Sequence, residues 1–169
     1  MTGGHVITQG EHYVSADPQA TISTLLGSCV ACCLWDPLAA VGGMNHILLA
    51  TTSRNAARCD LVGVNAMELL INDLLKLGAR RDRLKAKLFG GAQMINGLSE
   101  IGPANCAFAT GFLEQESIPC VSQSLGGEFA RQIIFTPSSG AVRAKTTRGR
   151  PAEAPPRPAP AIGNDLELF

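Results

Sequence analysis

Over residues 61–77, Val64, Met67, Leu70, Ile71, Leu74 and Leu77 recur at helical spacing, while Glu68, Asn72, Asp73 and Lys76 fall largely off that stripe. One amphipathic helix is expected there, with Gly78 as its stop. Its neighbours follow a different period. Leu84, Ala86 and Leu88 alternate with Lys85 and Lys87, which predicts a strand over 84–89 ended by Gly90-Gly91. Residues 22–34 are rich in small and β-type side chains and are interrupted by Gly27, Ser28 and Cys29, so they read as strand, tight turn and strand. Asp36-Pro37 closes that unit, and 41–49 resumes as a strand containing Gly42, Gly43 and His46. A second helix is predicted over 103–116, with Pro103 in its first turn and a small-residue face of Ala104, Ala107, Phe108, Gly111 and Phe112. Further strands are expected over 118–122, 131–136 and 141–145, the last two joined at Ser138-Ser139-Gly140. Strand pairs at both ends with two helices between them predict an α+β fold, a layered sandwich of mixed β-sheet with flanking helices.

The chain has 169 residues, enough for one domain with a core that needs neither disulfides nor a metal to hold it. Residues 1–147 read as that domain. Residues 148–169 are rich in Pro and Ala and lack an apolar period until Leu166, Leu168 and Phe169, so they read as a disordered or extended tail with a frayed end. Lys plus Arg balances Asp plus Glu at 14 each, so no basic field favours nucleic acid or an anionic membrane. The longest apolar runs are too short to span a bilayer, and MTGGHVITQGEH lacks the regions of a signal peptide. A cytoplasmic location is expected. The cysteines Cys29, Cys32, Cys33, Cys59, Cys106 and Cys120 are then thiols, most of them expected to be core residues.

Two segments can carry chemistry. Leu26-Gly27-Ser28-Cys29 places a thiol on a sharp turn whose backbone N–H groups can stabilise an oxyanion. Gly42-Gly43-Met44-Asn45-His46 places an imidazole on a glycine-rich strand open to close approach. A thiol and an imidazole that meet form a nucleophile and its base, and a neighbouring imidazolium can lower the thiol pKa. Ser28 is the weaker nucleophile because a hydroxyl needs both a base and an orienting acid. A lone Cys and a lone His are more often structural. His5 and His12 read as surface residues. Cys29, Cys32 and Cys33 lack the second ligand pair of a structural zinc site, and Cys32 and Cys33 should point to opposite faces of one strand, so no metal is expected.

The segments LLGSCVACCLWDP at 25–37, GGMNHILLA at 42–50, KLFGGAQM at 87–94, IGPANCAF at 101–108 and LGGEFARQIIFTPSSG at 125–140, in this order, resemble the CheD family of chemotaxis proteins. The resemblance covers nearly all of residues 6–146. It implies a cysteine-hydrolase fold similar to that of the cytotoxic necrotizing factors. It also implies deamidation of glutamine side chains on chemoreceptors, with glutamate methylesterase activity plausible beside it. By motif position the nucleophile is Cys29, the base is His46, and Gly27 and Ser28 shape the oxyanion turn. The family's third residue, a threonine six positions before the cysteine, falls on Ser23, with Thr24 next to it. The resemblance implies no cofactor, a methyl-accepting chemoreceptor as protein substrate, and a CheC-type phosphatase as a further partner. The chain departs from the family at Ala50, where proline is usual, and at Ser124, where an acidic residue is usual. The departures at Ser23 and Ser124 leave open an adaptor that binds receptors or phosphatase with little catalysis.

Overall fold

The computed structural model describes residues 3–49, 56–93, 101–147 and 166–169. In chain order it contains strands β1 (Gly4–Val6), β2 (His12–Ser15), β3 (Thr21–Leu26), β4 (Val30–Asp36) and β5 (Val41–Asn45), then helix α1 (Ala56–Lys76). A 3-10 turn at Arg81–Arg83 leads to β6 (Lys85–Gly90) and helix α2 (Ile101–Gln115). β7 (Cys120–Leu125), β8 (Ala130–Thr136), β9 (Ala141–Thr147) and β10 (Leu166–Leu168) follow.

The strands form two five-stranded sheets, β1-β3-β8-β9-β10 and β2-β5-β4-β6-β7. Each contains one parallel pair, β1 with β3 and β6 with β7, and is otherwise antiparallel. The layering is α/β/β. One core lies between the second sheet and the helices, built from Cys32, Leu34 and Leu88 against Met67, Leu70 and Phe112. The other lies between the sheets, built from Ala31, Cys33 and Phe89 against Ile22, Leu26 and Ile133. β4 is buried along its whole length because both of its faces meet a core. Successive residues on it therefore serve different layers, with Cys32 toward the helices and Cys33 toward the first sheet.

The α+β reading from sequence holds, with particular corrections. Both helices cover the same sheet, whose other face is sealed by the first sheet. Helix α1 begins at Ala56, earlier than its stripe indicates. Met67, Leu70, Ile71 and Leu74 are buried, whereas Val64 and Leu77 remain 39% and 40% exposed at the margins of the stripe. Gly78, at φ +102°, ends the helix as expected. The buried face of α2 is Gly102, Asn105, Ala109, Phe112 and Leu113, one position round from the expected small-residue face, because Asn105 has polar partners to meet inside. The short strands β1 and β2 were not expected. They put His5 on Tyr13 in a stack with ring centroids 3.9 Å apart, and His12 Nε2 2.7 Å from Asp73 Oδ2.

The frayed-end reading fails at Leu166–Leu168, which pair antiparallel with β9. The rest of the expected tail, 148–165, lies outside the described residues. Asp36, beside the predicted proline turn, is fully buried and structural. It accepts the N–H groups of Leu38, Ala39 and Arg80 and the guanidinium of Arg83.

Candidate active site

The turn between β3 and β4 is held by its carbonyl groups. Gly27 O accepts the Ala92 N–H at 2.9 Å, Ser28 O accepts Asn105 Nδ2 at 2.8 Å, and Cys29 O accepts the Gly91 N–H at 2.8 Å. Close approach requires glycine at position 90, where φ is +111° and any Cβ would strike the Cys29 carbonyl. Arg131, largely buried, donates Nη1 to Gly90 O at 2.6 Å and Nη2 to Gly126 O, tying the two glycine pairs together. With the carbonyls committed outward, no acceptor among the described residues meets the amide N–H of Ser28 or Cys29. Unmatched N–H groups beside a thiol suit a developing oxyanion.

His46 follows β5. Its own N–H and C=O are fixed by Glu11 O at 3.0 Å and Gly10 N at 2.9 Å. One residue on, Ile47 pairs antiparallel with Val30 through bonds of 2.7 and 3.0 Å. That bridge sets the relation between Cys29 and His46. Cys29 and His46 each precede one partner of the Val30–Ile47 pair, so they occupy diagonal positions on the same face of the ladder, a spacing of about 7–8 Å between Cα atoms that long side chains reach across. Both face the layer between the sheets: Cys29 packs against that core, and the His46 ring is bonded from the first sheet.

The group that bonds the ring is Thr24, not Ser23. Thr24 Oγ1 lies 2.7 Å from His46 Nδ1 and 2.7 Å from Ile7 O. A hydroxyl has one proton, and the Ile7 carbonyl can only accept it. The His46 contact is therefore Nδ1–H donating to Oγ1, which leaves Nε2 with a free lone pair. Ser23 is corrected by strand alternation. Along β3, Ile22, Thr24 and Leu26 face inward, and Ser23 lies on the other side. Ser23 contributes through its main chain, where its O accepts the Ile7 N–H at 2.9 Å and so places the carbonyl that takes Thr24's proton.

Burial sets the resting charge. It pushes the half-buried Cys29 thiol above its ordinary value and His46, 7% exposed, below its own. Both shifts run toward the neutral form of each group, against the imidazolium-stabilised thiolate considered from sequence.

Sequence reading missed Asn105 as well. It is fully buried, donates to Ser28 O, and accepts the Leu49 N–H at 2.9 Å. One side chain from α2 thus joins the cysteine turn to the segment after β5 that carries His46. A polar residue inside a small-residue helical face was the available signal. Ser124 sits on β7 opposite Phe89, and Ala50 lies outside the described residues. Of the other cysteines, Cys106 packs by Gly91, and Cys120 is exposed.

The family model described as CheD chemotactic sensory transduction matches residues 48–146. A Caulobacter sp. (strain K31) protein named probable chemoreceptor glutamine deamidase CheD is 52% identical, over 96% of this chain and 91% of its own length. The chain belongs to the CheD family. A CheD of the same printed name from Rhizobium leguminosarum bv. trifolii (strain WSM2304) is also 52% identical, over 98% of this chain and 95% of its own. Among solved structures, Neisseria meningitidis protein NMB0706 is similar over 75% of this chain and 64% of its own, with 10% identity and a TM-score of 0.46. In this CheD protein Cys29 and His46 lie on one face of a single ladder, with Thr24 behind the His46 ring. Among the described residues no helix is long and apolar enough to cross a membrane.

Proposed function

We propose that this CheD protein deamidates glutamine side chains of methyl-accepting chemoreceptors, with Cys29 as nucleophile, His46 as base and Thr24 as the residue that fixes the His46 tautomer. The observation that carries the reading is the Thr24–His46 bond. It leaves Nε2 unprotonated on the face shared with the Cys29 thiol.

His46 Nε2 takes the Cys29 proton as Sγ attacks the carboxamide carbon. The carbonyl oxygen becomes an oxyanion, held by the Ser28 and Cys29 N–H groups, each such donor worth about 3 kcal/mol of barrier. The C–N bond breaks as protonated His46 returns its proton to the departing amine, releasing ammonia and leaving a thioester. Water, losing a proton to Nε2, attacks the thioester. Collapse restores the Cys29 thiol and frees glutamate. Because burial disfavours the charged form of both groups, proton transfer accompanies attack rather than preceding it, a step that general base catalysis speeds by about 10²–10⁴-fold. A glutamate methyl ester offers the same acyl carbon with methanol as leaving group, so methylesterase activity belongs to the same site. Family membership also supports a CheC-type phosphatase as a second partner.

The test is mass spectrometry of a receptor cytoplasmic fragment co-expressed with the wild type, Cys29→Ala or His46→Ala. Conversion of Gln to Glu is expected with the wild type only. Binding of the fragment by the wild type without any conversion would instead establish an adaptor.

A further inference from the structure

The last described residues fill a groove that the sandwich leaves open. Leu166, Glu167 and Leu168 add to the edge of β9 opposite Lys145, Ala144 and Arg143. Phe169 exchanges main-chain bonds with Val142, its N–H donating to Val142 O at 3.0 Å and its O accepting the Val142 N–H at 3.2 Å. The Phe169 ring packs into the core between the sheets and meets Phe89 edge-on, with centroids 5.4 Å apart at 78°. Lys87 is the decisive neighbour. Only 8% exposed, it projects into the same layer, 5.3 Å above the Trp35 ring, and donates Nζ to Phe169 O at 2.7 Å. A buried ammonium needs an acceptor, and among the described residues this main-chain oxygen is its hydrogen-bond partner.

From these contacts we infer that the β9 edge, with the Lys87–Phe89 recess behind it, is a peptide-binding site for an extended segment of pattern aliphatic–acidic–aliphatic–aromatic. Its resident ligand is this chain's own residues 166–169. Three kinds of recognition converge there. The ladder bonds an extended main chain irrespective of side chains, as in strand addition. The recess selects an aromatic ring. Lys87 fixes the register of the strand along the groove, because it reaches the main-chain oxygen of the aromatic residue itself. Glu167 pairs with Ala144, on the face of the sheet that also carries Arg131, and the attraction between its carboxylate and that guanidinium suits an acidic residue at that point. Phe89 immediately precedes Gly90, so the recess adjoins the glycine turn packed on Cys29. This site is separate from the proposed chemistry and does not depend on it.

Covalent attachment gives the resident segment an effective concentration of order 1 mM, so a free peptide should enter only when the resident is weakened. The experiment uses the full chain and a fluorescent peptide with the sequence of residues 163–169. Phe169→Ala should bind the peptide saturably and at least about tenfold more tightly than the wild type does. The same peptide carrying Ala in place of its Phe should not bind. Hydrogen exchange supplies a second readout: amides of 141–147 should be protected in the wild type, less so in Phe169→Ala, and protected again when peptide is added. Lys87→Met in the Phe169→Ala background should weaken peptide binding while the melting transition stays cooperative. The inference is overturned if Phe169→Ala, shown folded by that transition, does not bind the peptide, or if wild type and variant bind it equally.

Discussion

Thr24 Oγ1, on β3 of one sheet, and His46 Nδ1, just past β5 of the other, lie 2.7 Å apart. The bond crosses the layer between the sheets and turns an imidazole that could hold its proton on either nitrogen into one whose Nε2 keeps the lone pair. Packing of the two sheets, rather than any local segment, therefore sets the protonation pattern of the site.

Thr24→Val keeps the shape and removes the hydroxyl. It leaves the Ile7 carbonyl and His46 Nδ1–H unmet in a buried place, costing about 1–3 kcal/mol of stability per unmet group. Deamidation should fall about 10- to 100-fold in kcat, part of what general acid–base catalysis supplies. Thr24→Ser should recover most of the rate, and Ser23→Ala should stay close to wild type. A series in which Ser23→Ala is the damaging change would contradict the assignment.

The burial of both groups has a signature in pH. Burial raises the Cys29 pKa from its ordinary value of 9.0 and lowers that of His46 from 6.5. The rate of Cys29 alkylation by iodoacetamide should therefore still be climbing at pH 9. A thiolate–imidazolium pair would instead plateau near neutrality. The base form of His46 persists below its ordinary pKa, so the acid limb of kcat/KM should lie below pH 6.5. Alkylation of the exposed Cys120 can be separated by peptide mapping.

Asn105→Leu should cost about 1–3 kcal/mol per buried group left unpaired, at Ser28 O and at the Leu49 N–H, measured by urea unfolding. Asn105→Asp separates the two ends, since a carboxylate still accepts from Leu49 but cannot donate to Ser28. With the cysteine turn released, kcat should drop at nearly unchanged KM. Equal and purely thermal losses for both variants would assign Asn105 to stability alone.

Asp36 should dominate acid sensitivity. Bonds from Arg80, Arg83, Ala39 and Leu38 outweigh its burial and hold its carboxyl at about 2, against an ordinary 3.8. Because the folded-state value is depressed, its contribution of about 2 kcal/mol is complete above pH 4 and disappears as pH falls through 2. Asp36→Asn should flatten stability against pH in that window, as followed by circular dichroism.

The sequence alone determined which residues could act and which elements carry them. The Gly-Ser-Cys turn, the Gly-Gly-Met-Asn-His strand, the stripe of α1 and the alternation of β6 are local signals, set by backbone sterics and by hydrophobic period within a few residues. Tertiary structure decided what no local signal contains. Ser23 and Thr24 are neighbours in sequence, and only the packing of one sheet on the other says which hydroxyl reaches His46. Asn105 and Arg131 read as unremarkable positions until α2 and β8 bring them against the carbonyls of Ser28 and Gly90. The strand at Leu166–Leu168 looks like a frayed end because three residues cannot form a stable strand alone; the β9 edge, the Phe89 ring and the Lys87 ammonium that order it lie far away along the chain.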